Sequence, residues 1–136
     1  MGAIMNWFLD ACAIIYLIEA GGERGDTVKK IVSQHLANSG TLSVSRLSSL
    51  ECRVMPLKKS DSDLVARYTQ FFALPSLTII ELTDEVVEKA TDLRVRYSLR
   101  TPDALQAACA LEAQADKFLT GDQHFRQVQE LQVKWV

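Results

Sequence analysis

Three aspartates stand where a parallel sheet would gather them at one edge. Asp10 follows the short apolar segment 7–9, Asp122 follows segment 116–120, and Asp103 lies near the start of an Ala-rich helical segment. Clustered carboxylates suit Mg²⁺ or Mn²⁺, which prefer oxygen ligands and can activate a water for in-line attack on a phosphodiester. The three aspartates therefore predict a metal-dependent site for phosphate chemistry.

The stretch that contains two of these aspartates has the dimensions to bring them together. Residues 101–115 predict a helix with Thr101 as its N-cap, and residues 116–120 predict a strand. The helix from Asp103 rises roughly 20 Å, and the strand returns about 16 Å. Helices run antiparallel to the strands in an α/β layer, so we expect Asp103 and Asp122 at the same edge of the sheet.

Strand and helix patterns alternate along the rest of the chain. Strands are predicted at 7–9, 41–44, 77–80, 116–120 and 133–136. Between them, helices are predicted at 11–20 and 26–38, from Ser45 to a stop at Pro56 and Lys58-Lys59, from the start signal 60–63, and from a cap at Thr83. This alternation predicts an α/β fold, with a parallel sheet covered by helices.

Composition limits the class of protein. With 136 residues, 48% hydrophobic and 24% charged, the chain is expected to form one domain over 1–136. The apolar run 11–18 is too short to span a bilayer and no basic segment precedes it, so we expect a cytoplasmic protein without membrane association. Cys12, Cys52 and Cys109 have no disulfide or zinc spacing and are interpreted as reduced packing residues.

The net charge of −2 does not by itself indicate a nucleic-acid partner. Placing four of the 17 acidic residues in a metal site leaves 13 acidic against 15 basic residues. An acidic composition is therefore weak evidence against an RNA substrate. Basic residues that could position phosphates are Arg46, Arg53, Arg94, Arg96 and Arg100.

Glu51 is a fourth candidate ligand, but the pattern around it allows two interpretations. It lies about 9 Å along its helix from Ser45, so it reaches the aspartates only if that helix leans over the site. A solvated glutamate at the border of an apolar face is the interpretation that the sequence alone slightly favours. Two carboxylates 5 Å apart repel by roughly 3 kcal/mol at an effective dielectric near 20, so a cluster of acids needs a cation.

Four motifs in order resemble the PIN-domain ribonucleases, specifically the VapC-type toxins of toxin–antitoxin pairs. They are Phe8-Leu9-Asp10, Glu51 six residues after Ser45, Thr101-Pro102-Asp103-Ala104, and the segment 118–125. The resemblance covers essentially the whole chain in motif order and size. One departure is Ala11, where many relatives carry a hydroxyl residue.

This resemblance implies a Mg²⁺- or Mn²⁺-dependent endoribonuclease. The implied fold is a three-layer, PIN-like domain with strand order 3-2-1-4-5, whose switch point separates strands 1 and 4. Asp10, Glu51, Asp103 and Asp122 would bind the metal directly or through water, and Thr120 would help to orient the site. RNA as substrate, a cognate antitoxin and homodimerisation are implied as well.

Two other functions remain open at this point. Asp10 could act as a nucleophile in aspartyl-phosphate-type phosphoryl transfer, although Cys12 stands where a D-x-D signature needs a second acid. Alternatively, the chain could be a non-catalytic interaction module whose acidic groove uses no metal.

Overall fold

The computed structural model describes residues 4–136, which form five strands and six α-helices. The strands are β1 (Asn6–Leu9), β2 (Thr41–Ser45), β3 (Leu77–Ile80), β4 (Lys117–Thr120) and β5 (Val133–Trp135). The helices are α1 (Ala11–Ile18), α2 (Gly22–Ala37), α3 (Arg46–Lys58), α4 (Ser62–Phe72), α5 (Asp84–Arg96) and α6 (Thr101–Glu112), and a 3-10 helix covers Gln123–Gln127.

All five strands belong to one parallel sheet with the order β3-β2-β1-β4-β5. This arrangement confirms the predicted α/β class and the strand order 3-2-1-4-5. The chain changes direction across the sheet between β1 and β4, where Leu9 pairs with Leu119. The residues that follow these two strands therefore emerge side by side at the carboxyl edge, where ligands bind in such sheets.

Side chains of the two central strands alternate between two buried layers. Phe8 and Phe118 point to the α5 and α6 side, with ring centroids 5.5 Å apart, whereas Leu9 and Leu119 point to the opposite side with α1 to α4. Successive strand residues face opposite sides, so a strand covered on both faces is apolar throughout. None of the helices in residues 4–136 has the length and apolar character needed to cross a membrane.

Helix α6 packs tightly because its inner face consists largely of small residues. Ala104, Ala107 and Ala108 are fully buried in the layer shared with Phe8 and Phe118. Small side chains let the helix backbone approach the sheet closely, which fixes the height of its first turn relative to the strands. That first turn carries Asp103.

Several helix boundaries differ from the sequence predictions. Helix α2 begins at Gly22, not at residue 26, and this glycine adopts a φ of +75°. Pro56 lies inside α3, which continues to Lys58. The N-cap of α6 is Arg100 rather than Thr101, without a side-chain capping hydrogen bond, and the Thr101 hydroxyl instead accepts a hydrogen bond from Arg94 Nη1 at 2.9 Å.

A tightly packed contact closes the opposite edge of the sheet. The His35 ring stacks on Trp7, with centroids 3.8 Å apart and 8° between the planes, and His35 Nε2 lies 2.8 Å from the Thr41 carbonyl oxygen. A Cβ atom at Gly40 would lie only 2.1 Å from the His35 ring. Both the stack and the hydrogen bond would have to shift to admit any side chain at this position.

We therefore expect Gly40→Ala to lower the free energy of unfolding by about 1–3 kcal/mol, as overpacking does in a well-packed region. Thermal unfolding of the single variants and of the double variant with His35→Ala measures the coupling. The cost of Gly40→Ala should shrink once the ring is removed. An undiminished cost in the His35→Ala background would contradict this explanation.

Candidate active site

Asp10 is the buried centre of the acidic cluster. It follows β1 as the N-cap of α1, where its Oδ1 accepts a hydrogen bond from the Ala13 N–H at 2.8 Å. Its Oδ2 accepts a second bond from the Thr120 hydroxyl. Only 3% of the residue is exposed. The local sequence folds this way because an aspartate after a strand can satisfy the free N–H groups of the next helix.

Thr120 connects the two strands on either side of the switch point. The hydroxyl that donates to Asp10 also accepts a hydrogen bond from the Asp122 N–H at 2.9 Å. Thr120 is the last residue of β4 and is fully buried. This one hydroxyl therefore fixes the Asp10 carboxylate and the backbone position of Asp122, which is the orienting role that the family resemblance implied.

Asp122 turns the chain into the 3-10 helix. Its Oδ1 accepts from the His124 backbone N–H at 2.9 Å and lies 2.7 Å from His124 Nδ1. Burial raises the pKa of Asp122, but the His124 contacts and the charge of Arg100 outweigh it and lower the pKa overall. The lowered pKa favours the ionised form of Asp122. Its other oxygen, Oδ2, takes part in neither contact with His124.

Asp103 lies in the first turn of α6 and is mostly buried, with 8% exposure. Its Oδ2 is 3.4 Å from Arg100 Nε, and the Arg100 side chain is 77% exposed. An ion pair with such an exposed partner contributes little to stability. Arg100 is therefore a weakly held counter-ion that a stronger cation could replace.

Electrostatics show that the three aspartates are neighbours. Burial is the main cause that raises the pKa of Asp10 to about 7, and the charges of Asp122 and Asp103 raise it further. The hydrogen bonds from Thr120 and Ala13 act in the opposite direction without cancelling the effect. The fold thus places Asp103 and Asp122 within electrostatic reach of Asp10 at the carboxyl edge of the sheet.

Glu51 is held against α6 by a residue that sequence reasoning missed. Gln106 Nε2 donates to Glu51 Oε1 at 2.9 Å and to Ser48 Oγ at 2.8 Å. Gln106 follows Asp103 by three residues, so both side chains lie on the same face of α6. That spacing was the available signal: a buried glutamine one turn beyond a candidate ligand. Helix α3 therefore packs against α6 one turn beyond Asp103.

The donor set fits a hard divalent cation. All four candidates offer carboxylate oxygens, and Asp10 has the raised pKa of a buried acid without enough counter-charge. Within residues 4–136, no three His, Cys, Asp or Glu side chains stand close enough together to hold an ion as they are placed. Side-chain rotation of the less buried members, Asp122 and Glu51, would have to bring their oxygens closer to Asp10.

Most of the predicted phosphate-binding arginines are engaged elsewhere. Arg46 forms a two-pronged ion pair with Glu81, in which Nε and Nη2 lie 2.8 and 2.7 Å from the carboxylate oxygens. Arg96 pairs with Asp92 and Glu130. Arg53 and Arg94 donate to the backbone oxygens of Ser49 and Leu99. Of the five predicted arginines, Arg100 is the one paired with an acid of the site.

Comparisons with known proteins identify the family and the fold. A family model described as a PIN domain matches residues 7–131. No curated protein matches the chain by sequence. Among solved structures, a chain of VapBC2 from Rickettsia felis, bound to a DNA fragment from its promoter, has a TM-score of 0.80 and 19% identity over 96% of this chain and 98% of that one.

Two further structures have the same fold at similarly low identity. A chain of a toxin–antitoxin complex from Klebsiella pneumoniae has a TM-score of 0.71 and 20% identity over 93% of this chain and 94% of that one. VapC20 of Mycobacterium tuberculosis, described as a Sarcin-Ricin loop cleaving toxin, has a TM-score of 0.72 and 17% identity over 90% and 95% of the two chains.

The raised pKa of Asp10 predicts how metal-free stability depends on pH. An unfolded aspartate ionises near pH 4, so between pH 4 and about 7 the folded state holds a proton that the unfolded state has lost, and stability falls as the pH rises. From pH 5 to 8 in EDTA, the loss from this one group should be about 3 kcal/mol.

Melting temperatures of wild type and Asp10→Asn across this range measure the effect. Asparagine keeps the N-cap and does not titrate, so it is a matched control. The wild type should lose several degrees more than the variant. Parallel curves for the two proteins would show that Asp10 ionises normally.

Proposed function

The chain belongs to the PIN-domain family, and on this premise we propose that it is a metal-dependent endoribonuclease and the toxin of a toxin–antitoxin pair. We propose further that residues 1–136 form a single PIN domain and that it acts on RNA in the cytoplasm. The observation that carries the proposal is the position of Asp10, Asp103 and Asp122 at the carboxyl edge of the sheet, with the pKa of Asp10 raised mainly by burial and further by the charges of the other two.

In this proposal the three aspartates share one task and Glu51 has another. Asp10, Asp103 and Asp122 would hold Mg²⁺ or Mn²⁺, and Glu51 would complete the site directly or through a water. When bound, the ion supplies Lewis-acid chemistry and lowers the pKa of a water for attack on phosphorus. Thr120 keeps Asp10 in position, and Gln106 keeps Glu51 at the edge of the site.

Phosphoryl transfer through Asp10 has less support. Both oxygens of the Asp10 carboxylate accept hydrogen bonds, and the residue is buried at the start of α1. A nucleophile has to present an oxygen in line with the phosphorus, and both oxygens of Asp10 are already engaged in hydrogen bonds. Metal coordination is compatible with such hydrogen bonds, which commonly orient ligating carboxylates.

An antitoxin and a second copy of the chain are the proposed protein partners. Solved structures that resemble the chain include toxin–antitoxin complexes. A cleft of about 580 Å³ between α1, α2 and α4 is lined by Leu17, Ile18 and Phe71 and offers apolar surface to the antitoxin. Helix α3 exposes an apolar stripe of Leu50, Val54 and Leu57, whose spacing is that of a helix–helix contact in a homodimer.

We expect Asp103→Asn to retain the fold and to lose Mg²⁺-dependent RNA cleavage by more than about 100-fold, because metal-assisted chemistry depends on its carboxylate charge. Cleavage of a labelled single-stranded RNA measures the effect. Glu81→Gln is the matched control: Glu81 follows β3 at the same edge of the sheet but is paired with Arg46. Unchanged cleavage by Asp103→Asn would falsify the site.

The same pair of variants tests the biological role. Expression of the wild type and of Glu81→Gln should arrest bacterial growth, whereas expression of Asp103→Asn should not. RNA cleavage in vitro without growth arrest would support the nuclease activity and contradict the toxin role.

Metal binding itself should stabilise the protein. An ion that binds only the folded state at 100 times its Kd adds about 2.7 kcal/mol, which corresponds to several degrees in melting temperature. We expect Mg²⁺ or Mn²⁺ to raise the melting temperature of the wild type and to have little effect on Asp10→Asn. Equal shifts in the two proteins would mean that the ion binds elsewhere.

A further inference from the structure

We propose that Arg24, held in place by Tyr16, forms a phosphate-binding subsite beside the acidic cluster, where it contacts a backbone phosphate of the RNA next to the one that is cleaved. This inference rests on the proposed function. It starts from a pair of residues on α1 and α2 to which neither the sequence pattern nor the acidic cluster gives a role.

Tyr16 lies directly against the segment that follows β4 and leads to the candidate ligand Asp122. A Cβ atom at Gly121 would be 3.0 Å from both Cε2 and the hydroxyl oxygen of Tyr16. The thiol of Cys12 lies beside the same hydroxyl and the Gly121 backbone, within the electrostatic range of Asp10 and Asp122. The Tyr16 hydroxyl is therefore next to the residue that separates Thr120 from Asp122.

Tyr16 also holds the side chain of Arg24. The Arg24 guanidinium lies over the Tyr16 ring, 5.0 Å from its centroid, and Nη1 donates to the Tyr16 hydroxyl at 3.1 Å. These two contacts fix a long, exposed side chain that would otherwise sample many rotamers. Binding an anion then costs less conformational entropy than it would at a freely moving arginine.

Arg24 retains its positive charge for a ligand. No carboxylate of residues 4–136 forms an ion pair with it, in contrast to Arg46 and Arg96. A cavity of about 420 Å³ opens next to it, lined by Glu23, Arg24, Thr27 and Val136. Glu23 is the opposing charge at this rim, and it does not neutralise Arg24.

The chemistry of Arg24 suits a phosphodiester. Its fork of N–H donors matches two phosphate oxygens, and a single tyrosine contact leaves most of those donors available. An RNA strand that enters the acidic cluster is repelled by carboxylates, so a cation at the adjacent position favours the phosphate that lies outside the cluster. Arg24 is thus a binding residue for the substrate, and Tyr16 is a positioning residue that acts through it.

Equilibrium binding separates this role from catalysis. The probe is a fluorescein-labelled single-stranded RNA, and its anisotropy is measured with the cleavage-deficient Asp103→Asn protein in Mg²⁺ at several salt concentrations. Adding Arg24→Gln should weaken binding about five- to tenfold and reduce the slope of log K against log salt by about 0.7, the value for one lost phosphate contact on a single strand.

Tyr16→Phe removes the hydroxyl but keeps the ring. It should weaken binding roughly threefold, the effect of one hydrogen bond, and this loss should disappear when Arg24 is already glutamine. A merely structural tyrosine would give the same loss in both backgrounds. Lys29→Gln is the control, because it removes one positive charge from the same helix at a residue that lines the separate cleft between α1, α2 and α4.

The outcomes distinguish this inference from the function on which it depends. The proposed subsite is wrong if Arg24→Gln binds RNA with the affinity and salt slope of its parent, or if it loses no more affinity than Lys29→Gln does. The proposed nuclease activity is not contradicted by either result. If no variant binds RNA and the wild type does not cleave it, both proposals fail. A loss at Arg24 alone, coupled to Tyr16, supports the subsite.

Discussion

The hydrogen bond from the Thr120 hydroxyl to the buried Asp10 carboxylate holds together the part of the fold on which the site depends. Asp10 is one residue beyond β1 and Thr120 is the last residue of β4, so the bond spans the point where the strand order reverses. Because the same hydroxyl accepts from the Asp122 N–H, a change in its position would move two candidate ligands at once. A polar triad of this kind is stable only where the surrounding strands are immobile, and Phe8, Leu9, Phe118 and Leu119 provide that immobility as fully buried neighbours.

Asp10 differs in one respect from several other acids of the chain. Glu81 and Glu130 are paired with arginines, and those hydrogen bonds lower their pKa values. Asp10, in contrast, is buried near Asp103 and Asp122, with one exposed arginine as the nearby counter-charge. Because the peripheral acids are paired and Asp10 is not, the electrostatic cost is concentrated at Asp10. That cost is the expected property of a site that recruits a cation, because the binding free energy includes relief of the repulsion.

Most of the fold could be predicted from the sequence, because short apolar segments bounded by polar residues identify strands that are covered on both faces. The edge shared by Asp103 and Asp122 followed from the matched lengths of one helix and one strand, and Asp10 from its position after the first strand. Helix ends were less predictable: the N-cap of α6 is Arg100, and the Thr101 hydroxyl instead bonds to Arg94, a tertiary contact that no local pattern contains. The position of Glu51 was equally hidden, since it depends on how α3 crosses α6.

Gln106 shows why that crossing matters for the chemistry. A lysine or arginine at this position would form an ion pair with Glu51. It would also bring a positive charge next to the acidic cluster, where it would compete with the metal. The neutral amide of Gln106 contacts Glu51 without adding such a charge. The contact therefore holds the carboxylate against α6 without a competing cation, which is what a ligand contributed by a separate helix requires.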